Sequence, residues 1–300
     1  MNDNSFRTGY LAVIGRPNVG KSTLTNRLVG AKISITSKKA QTTRHRIHGV
    51  LTTDETQFIF VDTPGFQTTH KNALNRLMNR SVTSTFVDVD VILLVVEAGR
   101  WGGGEDKIIG MLPPDLPVVL VINKIDRLTQ KNELLPFIAK VSALYKFAAL
   151  IPFSAEKGIG TADLLGEIRQ YLPVAPPVFD ADDITDRSER FLASEILREK
   201  LFRNLGEELP YGIAVEIETF ELETTGPNPL RRIHAAVIVD KAAHKAIVIG
   251  KAGERLKRMS SDARKEMETL FGGKVWLETF VKVKGGWADD ERALKSLGYD

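Results

Sequence analysis

The chain has 300 residues, room for two domains, and its 43% hydrophobic and 26% charged content is ordinary for globular protein with buried cores. The absence of cysteine excludes disulfides, thiolate metal sites and cysteine nucleophiles, while a net charge of +3 leaves the class of partner open. The opening Met-Asn-Asp-Asn-Ser lacks a signal-like apolar region and the longest apolar runs, such as Val91–Val96, are too short to span a bilayer, so a soluble, cytoplasmic protein is expected.

Charge is unevenly placed. From Asn4 to Thr53 there are nine Lys or Arg and no acid, which suits a polyanionic ligand. A second excess, eleven bases against five acids, runs from Lys241 to Lys284.

Residues 1–175 alternate short apolar runs with helical patterns and are expected to form the first domain. Strands are predicted at Tyr10–Ile14, Ile47–Thr52, Phe58–Asp62, Val91–Val96, Val118–Ile122 and Leu150–Phe153. Continuous runs rich in Val and Ile suit strands buried on both faces of a mostly parallel sheet. Helices are predicted at Lys21–Val29, Asn72–Phe86, Asn132–Lys146 and Ala162–Tyr171, the second with Leu74, Leu77, Met78 and Val82 on one stripe. This alternation predicts a doubly wound α/β domain with its ligand beyond the carboxyl ends of the strands.

Four motifs fall at those ends. Gly15-Arg16-Pro17-Asn18-Val19-Gly20-Lys21-Ser22, followed by Thr23, matches G-x-x-x-x-G-K-[ST] between a strand and a helix. A chance match arises in roughly one or two of a hundred chains this long. Its backbone N–H groups wrap a phosphate, Lys21 reaches the β- and γ-phosphates, and Ser22 ligates Mg²⁺. Asp62-Thr63-Pro64-Gly65 supplies a carboxylate for the magnesium and an N–H for the γ-phosphate. Asn123-Lys124-Ile125-Asp126 selects the base. Asp126 accepts from guanine N1–H and its 2-amino group; adenine has neither donor, so ATP is rejected. The stem of Lys124 covers the ring, and N–H groups of Ser154-Ala155-Glu156 meet guanine O6.

A proline-rich and then acidic stretch, 173–185, is predicted as a linker to a second domain over 186–300. Asp186 and Glu189 have capping-box spacing and open a helix that stops at Gly206. Strands near Gly212–Phe220 and Arg232–Val239, a helix over Glu254–Phe271 and a strand over Val275–Val283 complete a smaller α+β domain. Gly250-Lys251-Ala252-Gly253 leads into a basic helix bearing Arg255, Lys257 and Arg258. Gly-x-x-Gly alone occurs in most proteins of this length; preceded by Val-Ile and set in helix–strand–strand–helix–strand order, it suits a clamp on the sugar–phosphate backbone of RNA. Lys282 and Lys284 on the last strand add partners for phosphate. Trp276 and Phe280 suit base stacking or the core, and for Trp276 the core is expected.

Taken together, the nucleotide motifs resemble the G1 to G5 boxes of the translation-factor-related GTPases. Asn18 and Gln41-Thr42-Thr43-Arg44 narrow the resemblance to the Era family, a GTPase domain followed by a type II KH domain, and the tail Val283–Tyr299 extends it over the whole chain. The resemblance implies GTP hydrolysis, with Lys21, Thr43 and Gly65 stabilising the transferring phosphate and Thr43, with Thr42 as the alternate, binding Mg²⁺. It also implies switches at Lys32–Arg46 and Phe66–Met78, binding of the 3′ end of 16S rRNA, action in 30S subunit assembly and peripheral membrane association. Phe66 stands where small regulatory GTPases carry a water-orienting glutamine, so slow intrinsic turnover is expected, with Gln67 an outside candidate. In relatives with that substitution the loop asparagine helps to bind K⁺, which marks Asn18 here. Ala252 departs from the glycine or basic residue of many KH loops. A binding module with incidental hydrolysis and a membrane-surface GTPase are the competing classes.

Overall fold

The computed structural model describes residues 5–37, 39, 43–65, 74, 78, 85–206, 209–224 and 229–297. The chain divides into two units, Met1–Ser34, Thr43–His70 and Met78–Asp186 in the first and Ile35–Thr42, Lys71–Leu77 and Arg187–Asp300 in the second.

In the first unit, β1 (Arg7–Ile14), β2 (Ile47–Thr52), β3 (Thr56–Asp62), β4 (Val91–Glu97), β5 (Val118–Asn123) and β6 (Ala149–Pro152) form one sheet in the order β2-β3-β1-β4-β5-β6. All neighbours are parallel except β2, which runs antiparallel to β3. Every residue of β3 and β5 is buried, the reason their sequences are apolar without alternation. Helices α1 (Lys21–Val29), α2 (Gly103–Ile109), α3 (Leu134–Ser142) and α4 (Thr161–Arg169) accompany the sheet. On one face, Ile14, Ile92, Leu94 and Ile122 pack with Ile108 of α2 and Phe137 and Val141 of α3. Each such side chain contributes roughly 1.5–3 kcal/mol on burial. The short α2 was not expected, because Gly102-Gly103-Gly104 reads as a loop. Its start is fixed by Glu105, whose carboxylate accepts from Gly102 N at 3.1 Å.

Residues 173–186 are bonded to the first unit along much of their length. Thr8 N donates to Pro173 O, Ala175 N to Phe6 O and Val50 N to Ile184 O. The buried amide of Gln57 donates to Phe179 O at 2.8 Å and accepts from Val178 N at 2.7 Å.

The second unit contains α5 (Glu189–Asn204), β7 (Ile213–Glu223), β8 (Leu230–Val239), α6 (Ala242–Ile249), α7 (Glu254–Phe271), β9 (Lys274–Val283) and α8 (Glu291–Ser296). β8 is central, antiparallel to β7 and parallel to β9. Ala193, Ile196, Leu197 and Leu201 of α5 and Met259, Ala263 and Met267 of α7 close over Ile233, Ala235, Val237 and Val281 of the sheet. The cap of α5 corrects the sequence reading. Ser188, not Asp186, caps it, its Oγ accepting from Phe191 N at 3.3 Å, while Asp186 pairs with His48 in the first unit at 3.1 Å. Helices α6 and α8 were not expected either. The first has no side-chain cap and buries Val248 alone, so it presents no amphipathic stripe.

Trp276 is a further correction. Strand alternation sends Val275 and Val281 into the core and Trp276 out of the other face. The residue is 41% exposed, its ring 5.2 Å from His234 and 5.6 Å from the Arg232 guanidinium.

Part of the predicted first switch also lies in this unit. Lys39 Nζ donates to the carbonyls of Phe202, Leu205 and Gly206 at the carboxyl end of α5, where the helix dipole favours a cation. Arg203 donates to Thr36 O at 3.1 Å and to Thr36 Oγ1 at 2.9 Å. Gln41, Thr42, Phe66 and Gln67 lie outside the described residues, as does the predicted helix Asn72–Phe86 apart from the buried Leu74 and Met78 and residues 85–86.

Candidate nucleotide site and Gly-x-x-Gly loop

The ends of β1, β3, β5 and β6 bring the four predicted nucleotide motifs together. Residues 15–20 curl from β1 into α1, with Gly20 at φ 103°; a side chain there would be strained and would collide with the Asn123 amide. Asn123 ties three motifs. Its amide donates to Val19 O at 2.9 Å and its oxygen accepts from Ala155 N at 3.0 Å. Thr63 Oγ1 donates to Val13 O at 2.9 Å, fixing the β3 loop on β1. Pro64 leads to Gly65, which packs on Pro17, and Thr23 lies in the first turn of α1.

Lys21 is buried and donates to Gly15 O and Arg16 O, each at 3.1 Å, so its ammonium sits inside the curl where a phosphate would lie. Burial lowers its pKa from the ordinary 10.5 to about 8, partly offset by the Asp62 carboxylate. Burial pushes Asp62 the other way, upward, against the pull of Lys21. Beside them, Ser22 Oγ and Thr43 Oγ1 are 2.7 Å apart, and Thr43 Oγ1 donates to Asp62 Oδ2 at 3.4 Å. Asp62 Oδ1 is buried with no hydrogen-bond partner among the described residues. Two hydroxyls and a carboxylate with a spare oxygen are hard oxygen donors in one place, and they fit Mg²⁺.

At the base end, Ser154 Oγ donates to Asp126 Oδ1 at 2.5 Å, which fixes the carboxylate and leaves its other oxygen to receive donors. Lys124 Nζ donates to Asn18 O and to Glu97 Oε2, both at 2.6 Å. Glu156 pairs with Arg127 at the surface.

Three residues of this site were not expected from the sequence. Arg27 of α1 holds the last motif by donating to Ala155 O at 3.0 Å and Glu156 O at 2.6 Å. Glu105 pairs with Arg16 at 3.3 Å, and Glu97 holds Lys124. The only local signal for Glu97 is an acid ending the apolar run of β4.

In the second unit, Gly250–Gly253 joins α6 to α7. Gly253 has φ 78° with open space where a side chain would project, and Ala252 also has positive φ, 51°. Lys251, Ala252, Arg255, Lys257 and Arg258 are exposed, although Arg255 Nη1 donates to Ile247 O at 2.8 Å. Lys282 does not join them. It leaves β9 on the face opposite Val281, pairs with Glu218 and lies 5.2 Å from the Phe280 ring centroid. Lys284 is exposed after the end of β9.

Comparison with known proteins agrees with this division. A family model described as 50S ribosome-binding GTPase matches residues 10–124, and one described as KH domain matches residues 208–288. The GTPase Era of Nitrosomonas eutropha is 57% identical over 300 residues, and that of Chromobacterium violaceum 53%, each alignment covering 100% of both chains. A crystal structure of Era with MgGDPNP and nucleotides 1506–1542 of 16S ribosomal RNA superposes with a TM-score of 0.93 at 39% identity, covering 98% of this chain and 99% of that one. Aquifex aeolicus Era bound to GDP·AlF₄⁻ gives 0.94 at 39% identity, with the same coverage. A P-loop GTPase domain is thus followed by a KH domain, and the chain belongs to the Era family of GTPases.

Proposed function

We propose that the protein is a GTP-hydrolysing switch that binds the 3′ end of 16S rRNA and acts in assembly of the 30S subunit. The observation that carries the nucleotide half is the clustering of Lys21, Ser22, Thr43 and Asp62, joined through Asn123 to the base motifs where Ser154 holds Asp126. The RNA half is supported by the Gly250–Gly253 loop and by the relative solved with that RNA segment. The GTPase domain is assigned to residues 1–175, the linker to 173–185 and the KH domain to 186–300.

Residues 15–20 and Lys21 hold the β- and γ-phosphates, and the Gly65 N–H meets the γ-phosphate. Asp126 receives the guanine N–H donors, Lys124 covers the ring, and N–H groups of the Ser154-Ala155-Glu156 segment meet guanine O6. Ser22, Thr43 and, through water, Asp62 hold Mg²⁺, which neutralises charge on the β- and γ-phosphates. The RNA backbone is clamped by Gly250–Gly253 with Lys251, Arg255, Lys257 and Arg258, and Lys284 supplies a further phosphate contact, while Lys282 is engaged by Glu218.

Asn18, at φ 66° in the phosphate loop, is the candidate ligand for K⁺, placing a cation beside the developing charge. Faster hydrolysis in potassium than in sodium chloride is expected; equal rates would remove this assignment. The protein works in the cytoplasm and associates peripherally with the membrane. No helix among the described residues is long and apolar enough to cross it, and liposome sedimentation tests the association. The whole reading is tested by binding and turnover with GTP and ATP in magnesium buffer. Tight GTP binding with slow hydrolysis and no competition by ATP is expected; comparable ATP binding would overturn it.

A further inference from the structure

We infer that Glu97 is a positioning residue of the nucleotide site, holding Lys124 so that the base-recognition loop and the phosphate loop act as one piece. The inference rests on the GTP reading and adds a residue that none of the four motifs contains. In the sheet, Glu97 is the register partner of Asn123, so the last residue of β4 lies beside the start of the base-recognition motif. Its Oε2 is 2.6 Å from Lys124 Nζ, with both side chains about four-fifths buried, at 21% and 17% exposure. The same ammonium donates to Asn18 O at 2.6 Å. Arg100, the other partner of Glu97, is 76% exposed and binds Oε1 at 3.3 Å.

Backbone geometry gives this contact its importance. Asn18, Lys124 and Ala252 are the non-glycine residues with positive φ among those described, and the Lys124 ammonium joins the first two, at 66° and 65°. A left-handed conformation at such residues persists only where the surroundings over-determine it. Glu97 supplies the charged anchor that keeps the ammonium on Asn18 and the lysine stem stretched along the base pocket. A neutral amide can still accept from the ammonium but lacks the charge that holds it, so the stem is held less firmly. The consequence is read on nucleotide retention, because Lys124 belongs to the base-recognition loop and its ammonium ties that loop to Asn18 of the phosphate loop.

The test measures GDP and GTP dissociation constants and release rates for the full chain carrying Glu97→Gln, Lys124→Met, or both. Glu97→Gln should raise both dissociation constants about tenfold through faster release. Glu97→Asp should recover part of the loss, and Glu97→Gln should add nothing in the Lys124→Met background. Dissociation constants within about twofold of the parent, or the same tenfold loss on top of Lys124→Met, would overturn the inference. If Glu97→Gln does not fold, Glu97→Asp carries the same comparison: a weakening that vanishes in the Lys124→Met background supports the role, and one that persists refutes it. A parent that fails to bind GTP removes the nucleotide reading itself, whereas a tight-binding parent with an indifferent Glu97→Gln removes only this role.

Discussion

The carboxylate of Asp126 is turned by Ser154 so that one oxygen is occupied and the other stays open, which makes base selection a matter of donors meeting an acceptor. Replacing it by asparagine sets an amide donor against the N–H donors of guanine. Asp126→Asn is therefore expected to weaken GTP by at least about 100-fold and to favour xanthosine triphosphate, whose 2-oxo group accepts what the amide offers. Competition against a fluorescent nucleotide reads both effects. Lys21 gives a pH dependence of definite sign. In nucleotide-free protein its pKa stands at about 8, and a bound phosphate raises it, so binding takes up a proton above that pH. In magnesium-free buffer GDP affinity should be flat below about pH 8 and fall by up to about tenfold per unit above it, measured by calorimetry in buffers of different ionisation enthalpy. Affinity that rises through this range would contradict the assignment. The motif residues were legible in the sequence because each acts through local backbone geometry at fixed spacing. Arg27 and Glu97 were not, since their partners lie 128 and 27 positions away and only the sheet brings them close.

Elements followed the same division between local and distant causes. Helices α1 and α7 have the bounds their sequences suggest, because a phosphate loop or glycine starts each and Gly30 or Gly272 in the left-handed conformation ends it. The central strands were legible as unbroken apolar runs. Helices α2, α6 and α8 were missed: the first opens on Gly103 and Gly104, the second lacks a side-chain cap and the third has six residues. At α5, spacing favoured Asp186 as the cap, yet the His48 contact claims that carboxylate and leaves the role to Ser188. Ser188→Ala should destabilise the second unit by about 1 kcal/mol in urea denaturation. The absence of any such loss would show that the cap bond is immaterial. Trp276 was misplaced because a large aromatic favours burial, whereas alternation with Val275 and Val281 leaves it on the other face, beside His234 and Arg232.

On the scale of the whole molecule, the order of a GTPase domain and an RNA-binding domain was legible from motifs alone. The grouping of Ile35–Thr42 with the second unit was not, because it depends on Thr36 and Lys39 meeting residues more than 160 positions away. If that switch segment responds to the γ-phosphate, GTP and RNA must strengthen each other's binding by one common factor. The most direct test is GTP hydrolysis in potassium buffer, with and without an RNA carrying the 3′ end of 16S rRNA, for the parent and Gly253→Asp. Open space at Gly253 lets the aspartate fit at the cost of a left-handed backbone, about 1–2 kcal/mol, so the variant brings a negative charge to the clamp without a clash. The account predicts that the RNA stimulates hydrolysis by the parent and that Gly253→Asp abolishes the stimulation. RNA that binds while hydrolysis stays unchanged would contradict a coupled switch and leave a binding module with incidental turnover.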